Sequence, residues 1–338
     1  MLDEIETFFK ENKHPDFRFK QLKRAILKEN ITNFQDITTL SKQLREELKI
    51  KFNINYLTLI KKEENNETIK FLFKTLDNNF IESVLMKHID NRKTLCISSQ
   101  IFCPLNCKFC ATGANKFKRN LTTEEIVWQV LLVNNFLKNQ KIKITNIVFM
   151  GMGEPFLNYE NVIESIEIFN NRSYFNIGTR HIVISTVGIT PKIYDFANLN
   201  LQAKLAISLH ASNNKLRDEL MPINKKHNIQ EIINATNYYI SKTNRKVTFE
   251  YLLIKDVNDS INHSKELINI INKIQNKKLI FVNLIIYNPH QYATYKQPLK
   301  KQVIQFRNFL LENGIDCNVR KSMGDDISSA CGQLSVKM

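Results

Sequence analysis

Cys96-Ile-Ser-Ser-Gln-Ile-Phe-Cys-Pro-Leu-Asn-Cys-Lys-Phe-Cys-Ala-Thr-Gly113 is the stretch from which the rest of the chain can be read. It holds four of the six cysteines, and Cys103, Cys107 and Cys110 stand in a C-x3-C-x2-C spacing. A loop of that pitch can turn three thiolates toward one metal centre. A closed zinc site or an ordinary ferredoxin cluster takes a fourth ligand, usually from a second group of cysteines, and the sequence offers no such group. Three thiolates on a four-iron cluster leave one iron without a protein ligand, open to a substrate. The competing reading is a zinc knuckle completed by His88 or Cys96, which would make the chain a zinc-containing, non-catalytic RNA-binding protein.

Working outward, 338 residues suit one large α/β domain with an accessory piece, and a hydrophobic fraction of 43% supports a sizeable core. No run of about 18 apolar residues is present, so no membrane span is expected. The opening Met-Leu-Asp-Glu-Ile-Glu is acidic, without the basic-then-apolar order of a signal peptide. A cytoplasmic protein is expected, in which thiols stay reduced and serve metals or catalysis. The net charge of +15 points to a polyanionic partner, although the chain's general richness in Lys, Asn and Ile offers a plainer source of basicity.

Residues 1–60 read as a helical accessory domain that binds RNA: Leu2–Lys10, Arg18–Lys28 and Leu40–Phe52 carry apolar residues at helical spacing. The second helix sets Phe19, Leu22 and Ile26 against Lys20, Lys23, Arg24 and Lys28, a basic face suited to phosphates. Over 61–93 the pattern changes to Ile69-Lys-Phe-Leu-Phe and Phe80-Ile-Glu-Ser-Val-Leu-Met split by Asp77-Asn-Asn, which predicts a β-hairpin extension. From 94 to 320, six strands (Leu95–Ser99, Ile144–Met150, His181–Thr186, Leu205–Leu209, Val247–Ile254, Leu279–Tyr287) alternate with helices. Thr122-Thr-Glu-Glu125 predicts a capping box, and Gly314 a helix stop. Six βα units predict an α/β fold with a parallel sheet, too few for a closed eight-stranded barrel. We therefore expect an open, partial six-unit βα barrel whose chemistry collects at the strand C-termini. Residues 321–338 form a last segment that carries Cys331 beside Gly332.

Several strand ends are polar. Met150-Gly-Met-Gly-Glu-Pro155 places Gly153 and Glu154 after the second strand, where a glycine lets a ligand approach the backbone and a carboxylate can hold an ammonium group. Ser185 ends the third strand, Ser208-Leu209-His210 the fourth and Asn288 the sixth. Together they form a candidate cofactor mouth, although each alone reads more readily as a satisfied polar cap than as a ligand. Cys317, in Ile-Asp-Cys-Asn-Val, reads as ordinary core.

With these pieces in hand, the chain is similar from Asp16 to Leu334 to the radical S-adenosylmethionine (SAM) RNA adenine methyltransferases. The likeness is carried by Cys96-Ile-Ser-Ser-Gln, the cysteine loop with Phe109, Lys118-Arg-Asn-Leu121, Met150-Gly-Met-Gly-Glu, Leu220-Met-Pro-Ile-Asn224 and Ala330-Cys-Gly-Gln-Leu. The resemblance implies a [4Fe-4S] cluster on Cys103, Cys107 and Cys110, with SAM on its open iron and held by Gly153, Glu154, Ser185, Ser208, Leu209, His210 and Asn288. It implies methylation of an adenine in 23S rRNA at the peptidyl-transferase centre and, in the carbon-2 branch, of the adenine 3′ of the anticodon in some tRNAs.

Two SAM molecules per turnover are implied, because carbon 2 is electron-poor and cannot take a methyl group as a nucleophile. Cys331 would accept a methyl group as a thiolate, and a radical made from the second SAM would activate it. The resulting covalent protein–RNA adduct would be resolved by Cys96 as a Cys96–Cys331 disulfide forms. Glu82 resembles the family's proposed base. Pro155 and Asp325-Asp326 resemble the carbon-2 branch; the alternative is the carbon-8 branch that confers antibiotic resistance. Ile101-Phe102 departs from the glycine that the family usually places directly before the first cluster cysteine. An electron donor of flavodoxin or ferredoxin type, no membrane partner and a monomeric state complete the expectations.

Overall fold

The structure, a computed structural model, describes residues 2–140 and 142–336; Met1 of the N-terminal region and Lys337 and Met338 of the last segment lie outside the described residues. Three helices come first: α1 (Leu2–Glu11), α2 (Asp16–Leu27) and α3 (Lys42–Lys51). Their apolar faces meet through Phe8, Phe9, Phe19, Leu22, Ile26 and Leu48, as the helical spacing requires. Lys20, Arg24 and Lys28 are exposed on α2, but Lys23 is not free. Its ammonium lies 5.4 Å from the Phe19 ring centre and 5.8 Å from that of Tyr174.

An antiparallel meander follows: β1 (Leu57–Glu64), β2 (Thr68–Thr75) and β3 (Phe80–Lys87). The hairpin of β2 and β3 is the one the sequence predicts, turning at Asn78 with φ +62°. The strand β1 was not foreseen. It is mostly exposed and reads Leu-Thr-Leu-Ile-Lys-Lys-Glu-Glu, because an edge strand is protected by charge and lacks a clean alternation.

Next come β4 (Lys93–Cys96), a two-residue β5 (Gln100–Ile101) paired with β6 (Arg119–Asn120), and α4 (Thr123–Leu137). The αβ alternation continues with β7 (Asn146–Phe149), α5 (Tyr159–Asn170), β8 (Ile182–Thr186), α6 (Thr190–Asn198) and β9 (Lys204–Ser208). It ends with α7 (Asn214–Leu220), α8 (Ile229–Thr243), β10 (Val247–Leu253), α9 (Ile261–Asn272), β11 (Ile280–Ile286), α10 (Lys300–Glu312) and β12 (Cys317–Arg320).

All the main strands form one sheet in the order β1-β2-β3-β4-β7-β8-β9-β10-β11-β12. From β4 to β12 every neighbouring pair is parallel, and β3 joins β4 antiparallel. The six βα units are present and the sheet is open. A seventh parallel strand, β12, adds to the six expected, so Cys317 belongs to the barrel wall at its far edge. The sequence reads Ile-Asp-Cys-Asn-Val there as strand-like but does not count it as a further unit, because β12 is four residues long and only partly buried.

Two polar devices fix the first units. Thr122 and Glu125 form the expected capping box at α4. Arg119 then ties Glu125 (2.7 and 2.8 Å) to Asp77 in the hairpin turn (2.8 and 2.8 Å), which holds the Asp77 carboxyl far below its usual range. The N-terminal region joins the barrel through α4. The fully buried Trp128 packs edge-on against Tyr56 at 5.0 Å, and Asn135 donates to the Asn30 carbonyl at 2.7 Å. Cutting Trp128 back to Ala should therefore cost about 3–5 kcal/mol, read by circular dichroism in a urea titration. An unchanged midpoint would mean that this contact does not join the two parts.

Candidate active site

The Cys96–Gln100 motif works mainly through its backbone. Beyond β4 it stays paired with the β7 end, through Ile97 N to Val148 O (3.0 Å), Ser99 N to Met152 O (2.8 Å) and Gly151 N to Ile97 O (3.0 Å). Gly151 allows this approach, since a Cβ there would sit 2.6 Å from the Ile97 carbonyl oxygen; one at Gly153 (φ +101°) would strike Gln100 at 2.5 Å. Ser98 Oγ donates to Glu82 O (2.6 Å) and accepts from Met152 N (2.9 Å), while Gln129 bonds both the Ser98 backbone and Ser83 Oγ. Asn158 satisfies the carbonyls of Ser99 and Leu121. These buried polar groups form a rigid ledge behind the cysteine loop.

Above the ledge opens one cavity of about 1020 Å³ at the strand C-termini. It is lined by Cys96, Cys103, Cys107, Cys110 and Cys331, and by Gly153, Glu154, Ser185, Ser208, His210 and Asn288. Two expected site residues stand outside it. Leu209 is fully buried, and Glu82 is 2% exposed behind β4, engaged with the chain's last described residues. Among the described residues no three His, Cys, Asp or Glu side chains converge on a point that could hold one ion. The three loop thiols line the same cavity. His88, the suggested fourth zinc ligand, is hydrogen-bonded to Thr94 Oγ1 at 3.0 Å.

Burial dominates the electrostatics. It pushes the Cys96 and Cys103 thiols up to about 12, and Cys107 is raised well above the ordinary range by burial and by the neighbouring Cys110 and Cys103. Cys331 is raised by burial too. The residue is exposed and lines the cavity. Arg320, at the end of β12, opposes the rise at both Cys96 and Cys331. Glu154 is 2% exposed and its pKa is raised to about 7 by burial, against the hydrogen bonds it accepts from Val187 N (2.8 Å) and Phe156 N (2.9 Å). Burial lowers His210 to about 3. It stays neutral, and because Nδ1 accepts from Leu252 N (3.0 Å), Nε2 carries the proton.

Three residues absent from the sequence reading complete the wall. Arg217 is fully buried and gathers the carbonyls of Val187, Ser208, Leu209 and His227, locking the ends of β8 and β9 together. Glu250 accepts from Asn283 (3.0 Å) through one oxygen, while the other has no partner. Arg320 is the third. A lone Glu within the apolar run Val247–Ile254 was a readable signal for Glu250; Arg217 and Arg320 carried none beyond their charge.

The comparisons agree with this geometry. The radical SAM superfamily matches residues 97–268, and the ribosomal RNA large subunit methyltransferase N-terminal domain matches residues 1–54. A probable dual-specificity RNA methyltransferase RlmN of Thermotoga sp. strain RQ2 is 47% identical over 95% of this chain and 92% of its own. Its counterpart in Caldicellulosiruptor saccharolyticus is 44% identical over 98% and 94%. This chain belongs to the RlmN family of radical SAM RNA methyltransferases. A radical SAM methyltransferase from Sphaerobacter thermophilus superposes over 99% of this chain and 97% of its own, with a TM-score of 0.94 and 39% identity.

Radical SAM enzymes carry a [4Fe-4S] cluster and SAM, and the RlmN-family residues here fit both. Three thiols face one cavity, a buried carboxylate at Glu154 lacks a cation, and the buried Asn288 Oδ1 and Glu250 Oε2 have no hydrogen-bond partner.

The family's usual glycine before Cys103 also finds its reason. Phe102 sits at φ +61°, half-buried against the core, in the left-handed region that a bulky side chain rarely adopts. Replacing it by Gly or by Ala removes the same ring, but only Gly relieves the backbone. The Gly variant should be more stable than the Ala variant by about 0.5–1 kcal/mol, the reverse of the usual order. Equal or inverted midpoints in thermal melts would refute the strain. Arg320→Met should push the Cys331 thiol further up, moving its alkylation by iodoacetamide to higher pH. An unmoved pH profile would show that Arg320 does not act on that sulfur.

Proposed function

We propose that the chain methylates carbon 2 of an adenine in 23S rRNA, and the adenine 3′ of the anticodon in tRNA, by way of a methylated Cys331. The observation that carries this reading is that Cys96 and Cys331, 235 positions apart (331 − 96), line one cavity with the three loop thiols, with the Cys331 sulfur close enough to help raise the Cys96 thiol. Ordinary packing gives no reason for such a meeting, whereas a thiol that carries the methyl group and a thiol that releases it must be neighbours.

In this reading Cys331 Sγ gives up its proton and, as a thiolate, takes a methyl group from one SAM, whose sulfur keeps the bonding pair and leaves as S-adenosylhomocysteine. When bound, the cluster and a second SAM supply the one-electron chemistry that removes a hydrogen atom from that methyl group. Arg320 favours the thiolate form of both sulfurs. Glu154 is placed to hold a ligand's ammonium group, which offsets the cost of its buried charge, and neutral His210 offers a proton donor to the mouth. Adenine carbon 2 is hidden within helices, so the base must be flipped or unstacked to enter. Once the methylene radical has added to adenine carbon 2, the adduct gives back one electron to the couple that the cluster supplies when bound and loses the carbon-2 hydrogen as a proton. The Cys96 thiolate then bonds Cys331 Sγ while the carbon–sulfur bond breaks. The bonding pair stays with carbon, which takes a proton and becomes the product methyl. A small flavodoxin- or ferredoxin-type donor, a monomeric enzyme and a cytoplasmic setting complete the proposal; no described helix is long and apolar enough to cross a membrane.

The two thiols should fail differently. Cys331→Ala should carry no S-methyl group and attach to no RNA. Cys96→Ala should still accept the methyl group and still add to adenine, so it should purify with covalently bound RNA that survives denaturation and disappears on nuclease treatment. Chromatography of the digested nucleosides against 2-methyladenosine and 8-methyladenosine standards, with mass detection, separates carbon 2 from carbon 8. An RNA-free Cys96→Ala protein with intact S-methylation would sink this division of labour.

A further inference from the structure

After β12 the chain does not stop at the sheet's far edge. The extension lies close at hand: Lys321, the first residue after β12, pairs with Glu67, Asn65 donates to Asp326 at 2.6 Å, and residues 321–336 then make a short crossing between the extension and the cysteine loop. Within this crossing lies Cys331, and the two legs of its loop end on one pair of side chains.

Lys70 on β2 stands opposite Val84, and Glu82 on β3 stands opposite Leu72, so the two are diagonal neighbours on one face of the sheet. Both are buried, at 6% and 2% exposure, with Lys70 Nζ 3.7 Å from Glu82 Oε1. Lys70 also pairs with Glu63 (2.7 Å) and donates to the Ile327 carbonyl (2.9 Å). Glu82 Oε2 accepts from the backbone N–H of Ser335 (2.9 Å) and of Val336 (3.0 Å). Ile327 and Ser335 are each four positions from Cys331 (331 − 327 and 335 − 331). The ammonium holds one leg of the loop and the carboxylate the other. Between them Asn288 holds the Cys331 carbonyl, Thr112 that of Leu334, and Ala111 N–H that of Gly332.

We infer that Lys70 and Glu82 form a clamp that positions Cys331 by gripping both legs of its loop, and that Glu82 serves the reaction through the loop, not as a base on the RNA. The inference rests on the reading of Cys331 as methyl acceptor. It follows from where Glu82's oxygens go: one is filled by two backbone donors, the other faces an ammonium, and the side chain does not line the cavity. A buried carboxylate removed from two N–H groups leaves them unsatisfied, so the leg that it holds should open.

The test uses full-length, cluster-loaded Glu82→Ala, Glu82→Gln and Lys70→Met proteins. Glutamine cannot act as a base but keeps an oxygen for the two N–H groups, so it separates the roles. Cleavage of the tail by protease under native conditions should rise about tenfold or more in Glu82→Ala and Lys70→Met, with Glu82→Gln in between. The S-methylated fraction of Cys331, measured by peptide mass before any RNA is added, should drop severalfold in Glu82→Ala and recover in Glu82→Gln. The clamp is overturned if Glu82→Ala keeps a protected tail and a fully methylated Cys331 while losing only the RNA step. It is equally overturned if Glu82→Gln is as inactive as Glu82→Ala with its tail protected. Should the wild-type Cys331 never be methylated, the methyl-acceptor reading fails, and the protease comparison still decides the clamp. If Glu82→Ala does not fold, the Glu82→Gln and Lys70→Met comparisons carry the decision.

Discussion

An open parallel sheet presents its strand ends to solvent on one side and has two free edges. In this protein β12 ends beside the antiparallel extension, where Lys321 pairs with Glu67, and a single crossing of the chain, residues 321–336, then lies at the mouth between that extension and the cysteine loop. The crossing is held by polar contacts, because a segment with few apolar side chains cannot be fastened by burial alone. Each contact is charge-assisted or buried, as at Lys70, Glu82, Thr112 and Asn288. The antiparallel extension therefore does more than protect a sheet edge: it supplies an anchor. Without it Cys331 would be a thiol on a loose tail, and the cavity would lose the wall that brings it to Cys96.

The same economy governs the loops on the barrel side. Strand ends that line a ligand cavity leave backbone carbonyls without ladder partners, and water cannot reach all of them. Arg217 solves this for β8 and β9 with one guanidinium that bonds four carbonyls and Asn224 Oδ1. Burial lowers its pKa to about 10, still well above neutrality, so it keeps its charge. That charge opposes the rise of the Cys107 thiol, so the group that ties the strand ends together also favours a thiolate in the cysteine loop.

The sequence made the barrel legible because its βα alternation is periodic over six units and because cysteine spacing is a chemical constraint with few alternatives. The N-terminal helices and the β2–β3 hairpin were legible for the same reason of periodicity. What escaped were elements whose residues answer to tertiary partners. The strand β1 is an exposed, charged edge; β12 is four residues long; α7 presents its Arg217 to carbonyls far away in sequence. Glu82 shows the limit most plainly. Resemblance picks it out as a residue that matters, but only the fold shows that its carboxylate meets Ser335 and Val336, more than 250 positions on. Lys70, a lone cation inside Ile-Lys-Phe-Leu-Phe, was equally conspicuous and equally mute about its partner.

Glu154 carries the argument from structure to ligand. A carboxyl whose folded pKa is raised to about 7 contributes stability that is fully present below its ordinary value of 4.5 and is lost as pH rises through about 7. Near neutral pH the protein therefore bears the cost of a partly ionised, desolvated group, kept there by the N–H groups of Val187 and Phe156. Natural cores seldom keep such a group without a use. A cation seated in the cavity would reverse the sign, since its field favours the carboxylate and draws the pKa down again. Binding an ammonium-bearing ligand would then release a fraction of a proton at neutral pH and offset the cost of the buried charge. The destabilising charge and the ligand it would hold are two halves of one interaction.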